Sequence, residues 1–252
     1  MMRVAVSGAY GRMGQLACAV VDAAPDLLLG PLYAPGHAGE ELFGQPVTDT
    51  AARVADADVV VEFCTPGAVV DNLAKWHDMG VHAVVGTSGF DEARVAKVIE
   101  IWTGEISRCL IVPNFAIGAV LMMRFAELAA PHFPAAEIIE LHHDRKADAP
   151  SGTALNTAER IAAAQPNQVR SVESAGAAEG AIGAEVNGVR VHSVRLPGII
   201  ANQEVIFGAV GQTLTIRHDT TDRTAFGPGI ELAVRRVGSL GDRVTVGLDG
   251  LL

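Results

Sequence analysis

The sequence has few cysteines, a shortage of positive charge and no long apolar run, and each shortage excludes a class of protein. Its three cysteines, Cys18, Cys64 and Cys109, lie far apart and form no CxxC pair. They argue against a disulfide framework and against structural zinc, and they predict a protein of the reducing cytoplasm. No apolar run approaches the ~18 residues of a membrane span, and the apolar start is too short for a signal peptide.

The shortage of positive charge limits the partners that the chain can bind. There are 19 Lys and Arg residues against 29 Asp and Glu residues, which gives a formal net charge of -10. Nucleic acids and acidic membranes require a broad basic face, so neither is expected as a partner. An anionic ligand must be held locally, by isolated cations or by glycine-rich helix starts whose N–H groups supply positive potential.

Strand and helix patterns alternate through about the first 110 residues. Short apolar strands read "RVAVSG", "ADVVVEFCTP" and "VHAVVGTSGF", and the segments "GRMGQLACAVVDAA" and "GAVVDNLAKWHDMG" have helical spacing. Successive strand–helix–strand units of this kind predict a Rossmann-like, doubly wound parallel sheet.

The pattern changes near Pro113. A long apolar helix is predicted up to Pro131, and the extended runs that follow turn at Asn187-Gly188 and at Gly211-Gln212. These runs predict an α+β domain with a mixed or antiparallel sheet. The segment 162–184, rich in Ala, Gly, Gln and Ser, is predicted to be a loop.

From Asp222 a helical pattern and a short strand return, and we expect them to rejoin the first domain. The predicted division is therefore 1–113 with 222–252 as a dinucleotide-binding domain. Residues 114–221 are predicted to form a second domain.

The motif "GAYGRMG" stands between the first strand and the first helix. Glycines are needed there for a sharp turn, for close approach of the backbone to a pyrophosphate, and for helix–strand packing. Gly8, Gly11 and Gly14 in this context predict dinucleotide binding. The alternative is a tight strand–helix turn without a ligand.

One expected feature of a NAD site is absent. An Asp or Glu about 20 residues after the glycines usually binds the adenosine ribose, but Tyr33 and Ala34 stand at this point. Arg12 is a candidate partner for the 2′-phosphate of NADP, although it is equally well read as a solvated surface charge. Weak discrimination or a preference for NADPH is the resulting expectation.

The segment "ELHHDRKADAPSGTAL" is the second chemical motif. His142 and His143 end an extended run, so their side chains point to opposite faces and make a poor metal pair. Lys146 follows in a loop, and a helix begins at Ser151-Gly152-Thr153, where backbone amides favour an anion. The motif predicts an anionic substrate beside a proton donor; a surface histidine pair next to a helix cap is the alternative.

Together these motifs resemble those of the 4-hydroxy-tetrahydrodipicolinate reductases (dihydrodipicolinate reductases) of bacterial lysine and diaminopimelate biosynthesis. The resemblance covers almost the whole chain, in order: "GAYGRMG", "EFCTP", "VVGTSGF", "VPNFAIGAV" and "ELHHDRKADAPSGTAL". It implies an oxidoreductase that uses NADPH or NADH to reduce a small cyclic imine dicarboxylate. It also implies that residues 114–221 are a substrate-binding and oligomerisation domain, with a homotetramer joined through the second-domain sheets.

The resemblance further assigns roles to individual residues. It implies that His142 protonates the substrate ring, that Lys146 assists this step and binds a carboxylate, and that no metal takes part. The implied substrate contacts are His143, Gly152 and Thr153. The implied coenzyme contacts are Gly8, Ala9, Tyr10, Gly11, Arg12 and Met13 at the pyrophosphate, and Gly86, Thr87, Ser88, Val112, Pro113, Asn114 and Phe115 beside the nicotinamide. Ser88 and Val112 depart mildly from the family pattern, and Ala34 leaves the coenzyme preference open.

Two other functions remain compatible with parts of the sequence. A nucleotide-sensing protein would keep the glycine loop but would have no use for His142, Lys146 and Gly152-Thr153 together. A different dehydrogenase with the same two-domain plan would share the loop and the strand order, and only a panel of substrates would separate it.

Overall fold

The computed structural model describes residues 1–165, 178 and 180–252. Two compact units divide the chain, the first formed by Met1–Phe115 with Phe226–Leu252 and the second by Ala116–Ala225. The boundaries therefore lie at residues 115 and 226, where the sequence pattern placed them at 113 and 222. Residues 166–177 and 179, from the segment predicted to be a loop, lie outside the described residues.

The elements follow the chain in this order. The first part of unit one contains β1 (Met2–Ser7), α1 (Arg12–Ala23), β2 (Leu27–Tyr33), β3 (Glu41–Leu42), β4 (Gln45–Thr48), β5 (Val59–Glu62), α2 (Val69–Asp78), β6 (His82–Val85), α3 (Glu92–Ile101) and β7 (Cys109–Ile111). Unit two contains α4 (Ile117–Ala129), β8 (Ala135–His142), α5 (Gly152–Ala164), β9 (Ala184–Val186), β10 (Val189–Arg195), β11 (Ala201–Ala209) and β12 (Gln212–Thr220). The chain then forms α6 (Gly227–Arg236) and β13 (Val244–Val246).

The first unit is built on a sheet with the strand order β13-β7-β6-β5-β1-β2-β4-β3. Its pairings are parallel except between β3 and β4, which confirms the predicted Rossmann-like sheet. The central strand β5, Val-Val-Val-Glu, is buried along its whole length, because helices cover both faces of a doubly wound sheet. The short strands β3 and β4 were not predicted.

The second unit contains a mixed sheet with the strand order β12-β11-β8-β10-β9. Strands β8 and β10 pair in parallel, and the other pairings are antiparallel. Helices α4 and α5 pack on one face, where Ile138, Ile161 and Phe207 are fully buried. Alternate strand residues turn away from these helices, since successive strand side chains point to opposite faces.

The hairpins of this sheet test the predicted turns. Asn187 and Gly188 both have positive φ, 51° and 86°, as the tight turn between β9 and β10 requires. The second turn lies at Val210-Gly211 and not at Gly211-Gln212, because Gln212 already pairs with Ala209.

The prediction that 162–184 is a loop was wrong at both ends. Residues 162–164 extend α5, because Ile161 continues its apolar face into the core and alanine favours helix. Residues 184–186 form β9.

The closing segment is anchored in unit one. Strand β13 pairs in parallel with β7, and Arg235 forms a two-pronged ion pair with Asp26 at 2.7 and 2.9 Å. Gly229 of α6 lies so close to Phe115 that a Cβ would collide with the Phe115 carbonyl oxygen. Within the described residues, no helix combines the length and the apolar character needed to cross a membrane.

Gly229→Ala tests this anchor. We expect the variant to unfold at a temperature roughly 2–10 °C lower, because overpacking of this kind costs about 1–3 kcal/mol. The matched control is Gly241→Ala, since an added Cβ at Gly241 meets no atom within 4 Å. Equal melting temperatures of the two variants, measured by circular dichroism, would contradict the close approach.

Candidate functional site

A cavity of about 560 Å³ opens in unit one. Its walls come from the loops at the carboxyl ends of β1, β2 and β5 and from one face of α2, which is where open α/β sheets bind ligands. The lining residues are Gly8, Tyr10, Gly11, Tyr33, Ala34, Pro35, His37, Phe63, Cys64, Thr65, Ala68, Asp71, Asn72 and Lys75.

The glycine motif forms the floor of this cavity. Gly8 has φ +77°, and a Cβ there would lie 2.7 Å from the carbonyl carbon of Phe63. A Cβ at Gly14 would collide with the Gly8 carbonyl oxygen, so only glycine lets α1 pack this close to β1. Gly11 is the N-cap of α1 and brings no side chain. A bare helix start beside a cavity fits a pyrophosphate.

The residues expected at the pyrophosphate do not all reach the cavity. Tyr10 lines it together with Gly8 and Gly11, and Ala9 is buried behind them. Arg12 is exposed at the first turn of α1 and Met13 is half-buried, and neither is among the lining residues within the described part of the chain.

The residues expected beside the nicotinamide follow β6 and β7. The rings of Phe63 and Phe115 lie 5.7 Å apart, and a Cβ on Gly86 would collide with both. Thr87 is buried and donates to the Cys64 carbonyl at 2.9 Å. Val112 is buried, Asn114 is half-buried, and Ser88 and Pro113 are exposed.

Two groups at this site were missed by sequence reasoning, the buried Glu62 and the half-buried Cys64. The Glu62 carboxylate accepts from the Cys64 amide and from Trp76 Nε1, both at 2.8 Å, and so holds the loop after β5. Burial raises the pKa of the Cys64 thiol to about 12, so Cys64 lines the cavity as a neutral thiol. A glutamate at the end of a buried strand is a signal that could have identified Glu62.

The second cluster of chemical residues lies in unit two. His142 ends β8, and its Nδ1 lies 2.5 Å from the carboxylate of Glu140, whose side chain is fully buried. Burial raises the pKa of Glu140, but hydrogen bonds from His142 and Arg195 outweigh it and lower that pKa to about 2. An ionised carboxylate only accepts hydrogen bonds, so His142 Nδ1 carries a proton and Nε2 is left to exchange one.

Arg195, at the end of β10, clamps the same carboxylate. Its NH1 and NH2 nitrogens donate to the two Glu140 oxygens at 2.8 and 2.9 Å. The guanidinium also donates to the carbonyls of Lys146 and Asp148 at 3.1 and 2.6 Å. Arg195 thereby ties the loop after β8 to the strand that carries the histidine.

Lys146 and His143 lie in this loop. Lys146 Nζ donates to Asp148 at 2.6 Å, and this hydrogen bond lowers the pKa of the Asp148 carboxyl. The Lys146 amide donates to the His143 carbonyl at 3.1 Å. His143 Nδ1 is buried and has no hydrogen-bond partner among the described residues, as expected of a group that meets a ligand or a water.

Helix α5 begins beside the cluster. Ser151 is its N-cap and accepts from the Ala154 amide, while the Ser151 amide donates to Glu140 at 3.2 Å. Among the described residues, no atom lies within 4 Å of the position of a Cβ on Gly152, so the first turn is open toward them there. Glu140 thus connects His142, Arg195 and the start of α5.

Glu140 and Arg195 were also missed by sequence reasoning. Glu140 stands two residues before His142, so strand alternation places both on one face, and this signal was available. Arg195 lies 55 residues away from Glu140, and only the parallel pairing of β8 with β10 brings it close.

Sequence comparisons cover the whole chain. Residues 2–115 match the family described as "Dihydrodipicolinate reductase, N-terminus", and residues 118–252 match its "C-terminus". The 4-hydroxy-tetrahydrodipicolinate reductase of Thermobifida fusca is 51% identical over 256 residues, covering 100% of this chain and 99% of the relative. That of Mycolicibacterium smegmatis is 48% identical over 254 residues, with the same coverage.

Solved structures agree with the sequence comparisons. The chain superposes on "Dipicolinate bound Dihydrodipicolinate reductase from Paenisporosarcina sp. TG-14" with a TM-score of 0.88 and 36% identity, covering 100% of both chains. A probable dehydrogenase from Thermotoga maritima gives a TM-score of 0.63 at 12% identity, covering 99% of this chain and 92% of that one, and shares the fold alone.

The Glu140 cluster predicts how stability depends on pH. Because folding lowers the Glu140 pKa from 4.5 to about 2, its ionised form stabilises the fold above pH 4.5. This contribution is lost as the pH falls from about 4.5 to about 2. Glu140→Gln should therefore cost about 3 kcal/mol at neutral pH, and its difference from the wild type should shrink below pH 4.5.

The matched control is Glu137→Gln on the same strand. Glu137 points to the other face, is exposed, and pairs with His192 at 2.8 Å. Urea unfolding at several pH values measures both variants. A Glu140→Gln protein as stable as the control at neutral pH would contradict the clamp.

Proposed function

Because the chain belongs to the dihydrodipicolinate reductase family, we propose that it reduces 4-hydroxy-tetrahydrodipicolinate to tetrahydrodipicolinate with NADPH or NADH. The reaction is the reductive step of lysine and diaminopimelate biosynthesis. The observation that supports it most directly is the Glu140-bound His142 next to Lys146 and the start of α5. A nucleotide-sensing protein has no use for such a cluster.

The cavity of unit one fits the coenzyme. Gly8 and Gly14 let the glycine loop pack closer to the Phe63 backbone and to α1 than any side chain would allow, and the start of α1 favours the pyrophosphate. NAD(P)H supplies the hydride when it is bound there. Gly86, Phe63 and Phe115 form a packed wall beside the nicotinamide, and Thr87 holds the neighbouring loop in place.

His142 serves as the proton donor. Glu140 holds Nδ1, so Nε2 faces the substrate and delivers the proton to the ring position next to the one that is reduced. Glu140 orients the ring in this scheme and does not itself contact the substrate. A positioned general acid is typically worth about 10²–10⁴ in rate.

The two substrate carboxylates need positive potential, which this acidic chain supplies locally. Lys146 provides a full charge, and a substrate carboxylate takes the place of Asp148 as its acceptor. The first turn of α5, at Gly152 and Thr153, provides helix-end potential for a carboxylate. His143 offers its unpaired Nδ1 to the same ligand.

The direct test supplies enzymatically generated 4-hydroxy-tetrahydrodipicolinate to the purified protein and follows nicotinamide absorbance with each coenzyme. We expect oxidation of NADH or NADPH that depends on this substrate. A panel of amino-acid-like aldehydes and ketones covers the alternative of a different dehydrogenase. Turnover of a panel member without turnover of the cyclic substrate would contradict the proposal.

His142→Gln should lower kcat by about 10²–10⁴ and change KM much less, because the lost interaction belongs to the transition state. His132→Gln, at an exposed histidine of the same unit, is the control. Steady-state kinetics that show unchanged turnover in His142→Gln would remove this residue from the mechanism.

Lys146→Ala should impair both kcat and KM. Loss of a charge-assisted hydrogen bond to a carboxylate weakens binding by roughly ten- to a hundredfold. The matched control is Arg145→Ala, which removes the same charge at the neighbouring, exposed position. A wild-type KM in Lys146→Ala would argue against a carboxylate contact.

The family resemblance also suggests a homotetramer, and a cytoplasmic location agrees with the three free cysteines. The sheet face opposite to α4 and α5 supports association. It carries half-buried apolar side chains, Ile139 and Leu141 on β8, Val194 on β10 and Ile206 on β11. These apolar side chains lie among the Glu137–His192 and Glu204–Arg217 ion pairs, and such a mixture of apolar and polar groups fits a surface between subunits.

Ile206→Lys should reduce the tetramer to smaller species, as measured by light scattering after size-exclusion chromatography, because a charge on this face resists burial. Val210→Lys is the control, since Val210 is fully exposed at the hairpin tip. An unchanged mass for Ile206→Lys would place the subunit contacts elsewhere.

A further inference from the structure

The adenosine end of the cavity poses an open question about coenzyme choice. In folds of this type the residue at the end of the second strand recognises the ribose 2′ position. Here Tyr33 and Ala34 occupy this point, and they are 6% and 4% exposed. Neither carries a charge at neutral pH, so the selecting group must come from another part of the chain.

Two aromatic rings form the adjacent wall. Tyr10 of the glycine loop and His37 of the loop after β2 are stacked, with ring centroids 3.8 Å apart and planes inclined by 9°. Both rings line the cavity. The stack therefore joins the pyrophosphate loop to the loop that follows the ribose-binding strand.

Behind this stack lies a carboxylate, that of Glu40. His37 Nδ1 donates to Glu40 Oε1 at 2.9 Å, and the Tyr10 hydroxyl also forms a hydrogen bond with Glu40. The bonds from Tyr10 and His37 lower the Glu40 pKa, which keeps the side chain ionised at neutral pH. Its side chain is 47% exposed. Glu40 is hydrogen-bonded to His37, which lines the cavity, but is not itself a lining residue within the described part of the chain.

The backbone fixes Glu40 in this position. The His37 amide donates to the Ala34 carbonyl at 3.1 Å, and the Glu40 amide donates to the His37 carbonyl at 3.2 Å. The Glu40 carbonyl in turn accepts from Val47 of β4 at 2.7 Å. The negative charge is thus held next to the Tyr10–His37 wall by a folded loop.

The cations near the cavity lie elsewhere. Arg12 is exposed and is not among the lining residues within the described part of the chain. Lys75 lines the cavity from α2, where its Nζ donates to Asn72 at 3.4 Å. The charge attached to the Tyr10–His37 wall, next to the end of β2, is negative.

We propose that Glu40, held by Tyr10 and His37, is the residue that selects the coenzyme, disfavouring the 2′-phosphate of NADPH relative to the ribose hydroxyl of NADH. It supplies from the loop before β3 the carboxylate that is missing from the end of β2. This inference rests on the proposed function, since it requires that the cavity binds a nicotinamide dinucleotide. It replaces the expectation, based on Arg12, that the enzyme favours NADPH.

Isothermal titration of the intact protein with NADH and with NADPH, without substrate, tests the proposal. Glu40→Gln should lower the Kd for NADPH by about fivefold, because a repulsive charge near the phosphate is removed. The Kd for NADH should change by less than about twofold. Glu41→Gln, at the next and exposed position, removes the same charge and should change neither constant.

A second measurement needs no variant. When ionic strength rises from about 20 mM to about 300 mM, screening should lower the ratio of the NADPH Kd to the NADH Kd if the charge near the phosphate is negative. A cation such as Arg12 at that point would make the ratio rise.

The outcomes separate the two proposals. The role of Glu40 is overturned if Glu40→Gln leaves the ratio of the NADPH Kd to the NADH Kd unchanged, or if this ratio rises with salt. Coenzyme binding, and with it the proposed function, would still stand. A wild-type protein that binds neither coenzyme overturns the proposed function, and the role of Glu40 with it.

Discussion

The polar cluster of unit two depends on one buried charge, the carboxylate of Glu140. A carboxylate without contact with solvent costs several kcal/mol unless it is paired and hydrogen-bonded. Here it accepts from His142, from two nitrogens of Arg195 and from the Ser151 amide. The groups that compensate this charge are His142, Arg195 and the helix cap at Ser151. The contacts that offset the cost of burying Glu140 are therefore the same contacts that fix the geometry of the cluster.

The two units handle anions by different physical means. Under the proposed function, unit one binds a pyrophosphate with glycines and a helix start, and few formal charges line its cavity. Unit two adds full charges, because Lys146 and Arg195 stand close to the start of α5. This division explains how a chain with a net charge of -10 accommodates two negatively charged molecules. Positive potential is confined to a few positions, where burial and short distances make it effective.

The sequence predicted those features that depend on local patterns. The glycine spacing, the parallel sheet, the Asn187-Gly188 hairpin and the histidine–lysine motif each lie within a short stretch whose residue types have few alternative uses. Arg195 could not be predicted, because its partner is 55 residues away and only sheet register brings them together. The Glu40 carboxylate could not be predicted for a related reason, because a folded loop brings it back toward the end of β2 from a position further along the chain.

The interrupted first unit has a consequence for synthesis on the ribosome. Its amino-terminal 115 residues emerge before all of unit two, while α6 and β13 emerge last. Until then β7 has an unpaired edge on the side that β13 later takes, and a strand edge with free N–H and C=O groups can pair with other chains. Strand β7 is short, only Cys109–Ile111, which limits this exposure. A chain that ended before β13 would leave this edge of β7 unpaired, and an unpaired strand edge favours aggregation.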